Sequence, residues 1–356
     1  MSETSKKLTA SVVGGGVGGR LSMRALAASD HFDLVAAADL RPEVCQALED
    51  EFPGLRTYLS HEDLFTSAPT DVVCVSTYPP SHEAVAVAAL QTPVRGILVE
   101  KPLGHTYASG QRVLEAIKSR KLPMAVPHGL LARRAPLEIL ERVRGGEIGE
   151  LKLVEIQCSG WDIINAGIHW LNFVVTLIGN EPMKYVLAAC DASTRTYRDG
   201  MQVETVAVTY AESRSGVRVV MQTGDYIEVN SACKETLFRL IGTAGQIEFY
   251  GWHPSYSILN AEYPDGETIT PEEFAVTGHQ RHLDHLAEMI ASGKPGYSIP
   301  ESSLSALQLC EGAYLSSAHG CQVSFPLEEF SPPAPSDWLP GQPYSGTGGG
   351  RDGRKL

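Results

Sequence analysis

SVVGGGVGGRLSMRALAAS, Ser11 to Ser29, opens as an apolar run, breaks into glycines, and resumes with apolar residues at helical spacing. The run Ala10–Val13 reads as a strand buried on both faces. Gly14, Gly16 and Gly19 fit the pattern G-x-G-x-x-G. The first glycine permits the tight turn, and the second lets a pyrophosphate approach the backbone. The third lets the helix pack on the strand, and the helix N-terminus faces the phosphates. Val17 and Gly18, inside the motif, are counted with the cofactor-binding residues. Asp39 ends the next apolar run, 20 residues beyond Gly19, where an acid accepts hydrogen bonds from an adenosine ribose. An acid there repels a 2′-phosphate, which favours NAD over NADP. Arg41, two residues later, could cradle that phosphate instead.

Outward from this loop, apolar runs recur at Leu34–Ala38, Val72–Val75, Ile97–Val99 and Met124–Val126. Amphipathic stretches such as Ser81–Leu90 and Ala108–Ser119 lie between them, and Ser60-His61-Glu62-Asp63 resembles a capping box. Strand alternating with helix predicts a doubly wound parallel sheet of Rossmann type over residues 1–127. After Gly149 longer alternating segments appear: Leu151–Cys158, Val203–Ala211, Val217–Thr223, Thr236–Ile241 and Gln246–Tyr250. They predict a second α/β domain, residues 128–330, with an open and mainly antiparallel sheet. Helices are expected near 165–178, 279–292 and 302–318. Residues 331–356 are rich in Pro and Gly and read as a flexible tail or arm.

The chain has 356 residues, enough for two well-buried cores. Its formal net charge of −13 argues against nucleic acid or an anionic membrane as the main partner. The seven cysteines are scattered with no CxxC pair, which reads as reduced core thiols in a reducing compartment. No apolar h-region precedes the first strand, and no window reaches 18 uninterrupted apolar residues. A cytoplasmic protein is expected.

GILVEKPLG, Gly96 to Gly104, ends a buried strand with Glu100-Lys101-Pro102. Ligands sit at the carboxyl ends of such strands. A lysine there can hydrogen-bond a substrate hydroxyl and the nicotinamide ribose, or stabilise a developing alkoxide. The bland alternative is a loop lysine snorkelling to water. Thr77-Tyr78-Pro79-Pro80-Ser81-His82 closes the preceding strand. Its prolines stiffen a turn that could pass along the nicotinamide, so Thr77, Pro79, His82 and Glu100 join the cofactor-binding candidates. His82 reads as a cap on the following helix rather than as a chemical group.

The order GGGVGG, Asp39, TYPPSH, EKP, GEIGEL (146–151), GIHWLN and FRLIGTAGQIEF (238–249) resembles the Gfo/Idh/MocA family, the glucose–fructose oxidoreductase and inositol dehydrogenase group. The resemblance runs from about Leu8 to Leu327, and EKP is its most specific piece. It implies a Rossmann domain followed by an α/β domain with an open antiparallel sheet. It also implies NAD(P)-dependent oxidation or reduction of sugars and cyclitols, and a homodimer or homotetramer built through the sheets.

NAGIHWLN, Asn165 to Asn172, sets a histidine and two amides into an otherwise apolar helix. At 100° per residue, Asn165, His169, Asn172 and Thr176 share a stripe about 60° wide, with Leu171, Val174, Val175 and Ile178 opposite. A histidine on an apolar helix is commonly a satisfied core residue, but four polar groups in register suit a cleft. In the family this helix often reads Asp-x-x-x-His-x-x-Asp, with the histidine transferring the proton. His169 matches it, and Asn165 and Asn172 replace the two acids. The resemblance therefore assigns Lys101 to hold the substrate oxygen, His169 to take its proton, and Asn165 to orient substrate or imidazole. An imidazole with an ordinary pKa near 6.5 suits proton transfer close to neutrality.

HGLLARR (128–134) leads into a helix that faces substrate in relatives, which makes His128, Arg133 and Arg134 candidates, although adjacent arginines are commonly a solvated face. His279, His282 and His285 drift around an arc of about 120°, a poor zinc pattern. The resemblance lets one of them, with His282 chosen, bond a substrate hydroxyl. Trp161 and Asp162 could border the same pocket. No metal is expected. Two other functions stay open at this point: a redox-neutral, NAD-dependent sugar lyase or glycosidase using transient oxidation, and a non-catalytic NAD-binding regulator.

Overall fold

The computed structural model describes residues 6–191, 196–229, 235–331 and 341. In chain order the main elements begin β1 (Leu8–Val13), α1 (Val17–Ala28), β2 (Phe32–Ala38), α2 (Pro42–Glu51), β3 (Arg56–Tyr58), α3 (His61–Ser67) and β4 (Val72–Val75). They continue with α4 (His82–Ala89), β5 (Gly96–Val99), α5 (Tyr107–Ser119), β6 (Met124–Ala125), α6 (Arg134–Arg144), β7 (Leu151–Ser159), α7 (Ile168–Leu177) and β8 (Met183–Asp191). Then come β9 (Thr196–Arg198), β10 (Met201–Val203), β11 (Val206–Ser213), β12 (Arg218–Gly224), β13 (Thr236–Gly242), β14 (Gly245–Tyr250), β15 (Tyr256–Asn260) and β16 (Glu267–Ile269). The last are α8 (Gly278–Ser292), α9 (Ser298–His319) and β17 (Val323–Ser324). The described residues fall into two compact units, one within 1–127 and 276–301 and the other within 128–275 and 302–356.

The first unit is a parallel sheet of order β3-β2-β1-β4-β5-β6. The strand order reverses between β1 and β4, the switch point at whose carboxyl ends sheets of this kind bind ligands. β4 and β5 are wholly buried, as their unbroken apolar runs predict. Ser60 caps α3 by accepting from the Asp63 amide. Chain order alone put α8 in the second domain, but it compacts with this unit. Leu283, Leu286, Ala287 and Met289 lie in one core with Met23 and Leu26 of α1, Cys74 of β4 and Leu98 of β5. Both faces of a parallel sheet need cover, and α8 supplies apolar cover against α1, β5 and β6.

The second unit carries a sheet of order β16-β15-β14-β13-β7-β12-β11-β8-β17. Every neighbouring pair is antiparallel except β7 with β12. Alternate residues point into the core, where Trp170 and Phe173 of α7 meet Phe238 and Phe249. The segment Val203–Ala211, expected as one strand, is two. β10 pairs with β9 and β11 with β8 and β12, and Glu204-Thr205 lies between them. The break follows from Glu204, which turns fully inward. Six described cysteines are free thiols, four of them buried, and Cys233 lies outside the described residues. Of the expected tail only Ser331 and Gly341 are described, and the Gly341 amide donates to the Gln202 carbonyl. No described helix is long and apolar enough to cross a membrane.

Candidate active site

In the first unit the glycine loop joins β1 to α1 at this switch point. Gly14 has φ +106°, and a side chain there would strike the Ser76 carbonyl. A side chain at Gly19 would strike the Gly14 carbonyl, so only glycine lets α1 lie this close to β1. At Gly16 an added Cβ would meet nothing within 4 Å, which leaves open space above the loop. Gly16 also caps α1 without a side-chain bond, and the first turn holds no acid. No acid sits within that first turn, and the helix dipole favours a phosphate. Val17 stands 81% exposed beside that space. These features fit the pyrophosphate of a dinucleotide.

Asp39 follows β2 directly. Its Oδ2 accepts from the Gly15 amide at 2.8 Å, and the Arg41 side chain bonds both carboxylate oxygens, at 2.9 and 3.1 Å. Burial pushes the Asp39 carboxyl up, but these bonds outweigh burial and hold it below its ordinary range. Arg41 is thus folded onto the acid rather than held ready for a phosphate.

The ends of β4 and β5 meet through His82. Its imidazole is fully buried, with Nδ1 2.9 Å from the Pro102 carbonyl and Nε2 2.9 Å from the Thr77 carbonyl. Although it opens α4, it braces two loops and presents no ring nitrogen to a ligand. Burial holds it below the ordinary histidine range against the pull of those carbonyls. Pro79 is buried in the intervening turn, and Thr77 Oγ1 accepts from Ser81. Glu100 lies under the glycine loop, so that a Cβ on Gly18 would come within 3.2 Å of its carboxyl group. His279 of α8 reaches the Glu100 carboxylate at 3.0 Å. Burial pushes Glu100 up, while His279 and Lys101 together hold it below its ordinary range. Lys101 is next in the chain and half-buried, and its amide donates to Glu100. Sequence reading singled out His282, which is buried on the inner side of α8 in this unit, whereas His279 is the histidine that meets Glu100. Among the described residues no group of three or more His, Cys, Asp or Glu converges as a metal site.

In the second unit α7 does not begin as a regular helix. Residues Ile163–Gly167 form a π-turn before α7. Of the expected polar stripe, only His169 and Thr176 keep partial exposure. Asn165 is turned onto Asp162 and Asn172 onto Ser302 of α9, each donating a hydrogen bond from its side-chain Nδ2 at 2.8 Å. Those two amides are buried packing groups, because acceptors from neighbouring segments claim them. His169 stands with its ring edge-on to His128 at 5.3 Å and to Trp252 at 5.6 Å. His128 is fully buried, with Nε2 2.8 Å from Ser303 Oγ. Gly129 makes room for Trp252, since a Cβ there would lie 2.7 Å from the indole. Arg133 pairs with Glu273, and Arg134 lies over the Phe274 ring. Trp161 covers the guanidinium of Arg198 at 4.5 Å.

Sequence reading singled out His128, His169 and Asn172 but not Ser303, Trp252 and Ser302, which contact them in turn. It also passed over the buried Arg198 and Glu204. A charged residue inside an alternating strand run was the available signal for Glu204.

Residues 8–128 match the model of the oxidoreductase family with an NAD-binding Rossmann fold, Gfo/Idh/MocA. Over 322 residues the chain is 25% identical to the rhizopine catabolism protein MocA of Rhizobium meliloti, covering 85% of this chain and 92% of that one. Over 151 residues it is 31% identical to inositol 2-dehydrogenase of Salmonella typhimurium, covering 41% and 44%. In fold it is similar to an oxidoreductase from Agrobacterium radiobacter solved with NAD+, L-tartaric acid and magnesium. That likeness has a TM-score of 0.75 at 20% identity and covers 90% of this chain and 98% of the other. Residues 8–128 thus carry the NAD-binding Rossmann fold of the Gfo/Idh/MocA oxidoreductase family, and over most of its length the chain is similar to a curated protein of that kind.

Proposed function

We propose that the protein transfers hydride between NAD and a secondary hydroxyl or ketone of a sugar or cyclitol. The observation that carries this reading is the setting of His169: a half-exposed imidazole on a helix whose other polar side chains before Thr176 are buried, backed by His128 and Trp252. The name of one relative, inositol 2-dehydrogenase, and the tartrate bound to a structural neighbour favour a polyhydroxylated substrate.

Bound NAD+ supplies the two-electron acceptor. The glycine loop and the α1 N-terminus would hold its pyrophosphate, and Asp39 would accept from the adenosine ribose. Lys101 donates a hydrogen bond to the reacting oxygen and stabilises negative charge as it develops there. His169 takes the hydroxyl proton as the C–H bond breaks, and the substrate leaves as a ketone. In the reverse direction His169 returns that proton. A general base placed this way contributes about 10²–10⁴-fold in rate.

The test is the nicotinamide absorbance of purified protein mixed with NAD and a panel of inositols, aldoses and anhydrosugars. Net NADH with at least one of them is the expected result. Product without net NADH would assign a redox-neutral elimination instead, and no product with any of them would overturn the reading.

A further inference from the structure

Glu100 stands beside the phosphate-binding turn without belonging to it. Gly18 is the second residue of α1, and a side chain there would meet the Glu100 carboxyl carbon and Oε1 at 3.2 Å. Side chains on a helix tilt towards its N-terminus, so this carboxyl group lies at the end where α1 leaves its first amides without intrahelical partners. Gly18 puts no side chain between the two. Burial raises the Glu100 carboxyl, but the His279 bond and the Lys101 charge outweigh burial and keep it ionised. An ionised carboxylate and a diphosphate are ligands of the same kind for a helix N-terminus. An unrestrained Glu100 would compete with the cofactor for those amides.

The restraint comes from α8. Oε1, the carboxylate oxygen that faces Gly18, is the one that lies 3.0 Å from Nε2 of His279. A carboxylate offers lone pairs only, so Nε2 carries the hydrogen and donates it. Oε2 receives the Lys101 amide at 3.3 Å, a longer and weaker bond. His279 is the second residue of α8, just behind Thr277, whose side chain caps the helix by accepting from the Gln280 amide. Apolar packing fixes the helix in turn: Leu283 and Leu286 share a core with Met23 and Leu26 of α1. The helix that covers the parallel sheet therefore also sets a donor against a carboxylate 179 positions away in the chain.

We propose that His279 is a positioning residue of the cofactor site: it tethers Glu100 and so reserves the first-turn amides of α1 for the pyrophosphate of NAD. The tether needs only the hydrogen on Nε2, so it serves with the ring neutral or protonated. Gly18 is its counterpart, leaving the room in which the tethered carboxylate packs. The inference uses the NAD site alone and stands whether or not a polyol proves to be the substrate.

Calorimetric titration of the full chain with NAD, with no substrate present, tests it. In His279→Ala the released carboxylate turns onto the α1 amides, and NAD affinity falls about tenfold. His279→Gln, whose side-chain NH₂ can still donate to Oε1, stays within about threefold of wild type. A neutral amide at position 100 competes far less with a phosphate, so Glu100→Gln in the His279→Ala background recovers most of the loss. Damage to the packing of α8 would instead give a loss that this second change does not relieve. His279→Phe, which keeps a ring and removes the donor, carries the same prediction if His279→Ala does not fold. Wild-type affinity in the folded variant without the donor overturns the proposal. So does a defect that persists undiminished once Glu100→Gln is added.

Discussion

In the first unit the groups that would meet a nucleotide are mostly backbone: three glycines, one helix N-terminus and the carboxyl ends of β1, β4 and β5. In the second unit His169 is set among side chains from separate segments: His128 before α6 and Trp252 after β14 meet its ring, and Ser303 in α9 holds His128. The first surface is specified by where side chains are missing, and the second by which side chains pack. A substitution in the first should act through steric exclusion of backbone. One in the second should act through loss of a specific partner.

That contrast can be broken most forcefully at Gly19. Gly19→Ala drives a methyl into the Gly14 carbonyl. NAD affinity should fall at least about 100-fold, with overpacking adding about 1–3 kcal/mol of destabilisation. Calorimetric titration and thermal melts check both, and wild-type affinity would contradict the tight loop. Next in size is Trp252→Ala, which removes a ring packed edge-on to His169. Turnover should drop about tenfold, since such aromatic pairs contribute about 0.5–1.5 kcal/mol beyond their buried area. NAD affinity, measured in parallel, should not move.

Asp39→Ala probes the first unit by chemistry rather than by shape. Losing the ribose acceptor should weaken NAD by about tenfold, and NADP by less because Arg41 is released from the acid. Equal losses for the two nucleotides would refute the ribose assignment. The smallest effect is expected at Glu204, whose carboxyl is pushed up to about 7 by burial and by the charge of Asp162. It binds its proton more tightly folded than unfolded. The stability it contributes is complete below the ordinary carboxyl range and is lost as pH climbs through about 7. Glu204→Gln should therefore raise Tm by about 2–4 °C at pH 8 and change it little at pH 4, flattening the fall between them. A variant no more stable than wild type at pH 8 would contradict the raised pKa.

The same contrast explains what was legible in the sequence. The glycine loop, Asp39 and the Glu100-Lys101-Pro102 turn could be read because each is a local pattern tied to a strand end. α8 was misplaced because chain order says nothing about which sheet face lacks cover. The polar stripe on α7 was half right. Helical periodicity accounts for the partial exposure of His169 but could not reveal that Asp162 and Ser302 would claim the flanking amides. Regular periodicity also assumed an α-helix where the chain makes a π-turn. Glu204 and Arg198 escaped because burial of a charge depends on partners distant in sequence, Tyr314 for one and Asp162 for the other.

The proposed function has Lys101 and His169 serving the same reaction, and a double-mutant cycle in kcat/KM tests that proposal most directly. Lys101→Ala and His169→Ala should each cost about 10²–10⁴-fold while NAD affinity survives. The double variant should then lose little more than the worse single, because both groups serve the same transition state. Losses that multiply, or either single variant turning over at the wild-type rate, would contradict the account.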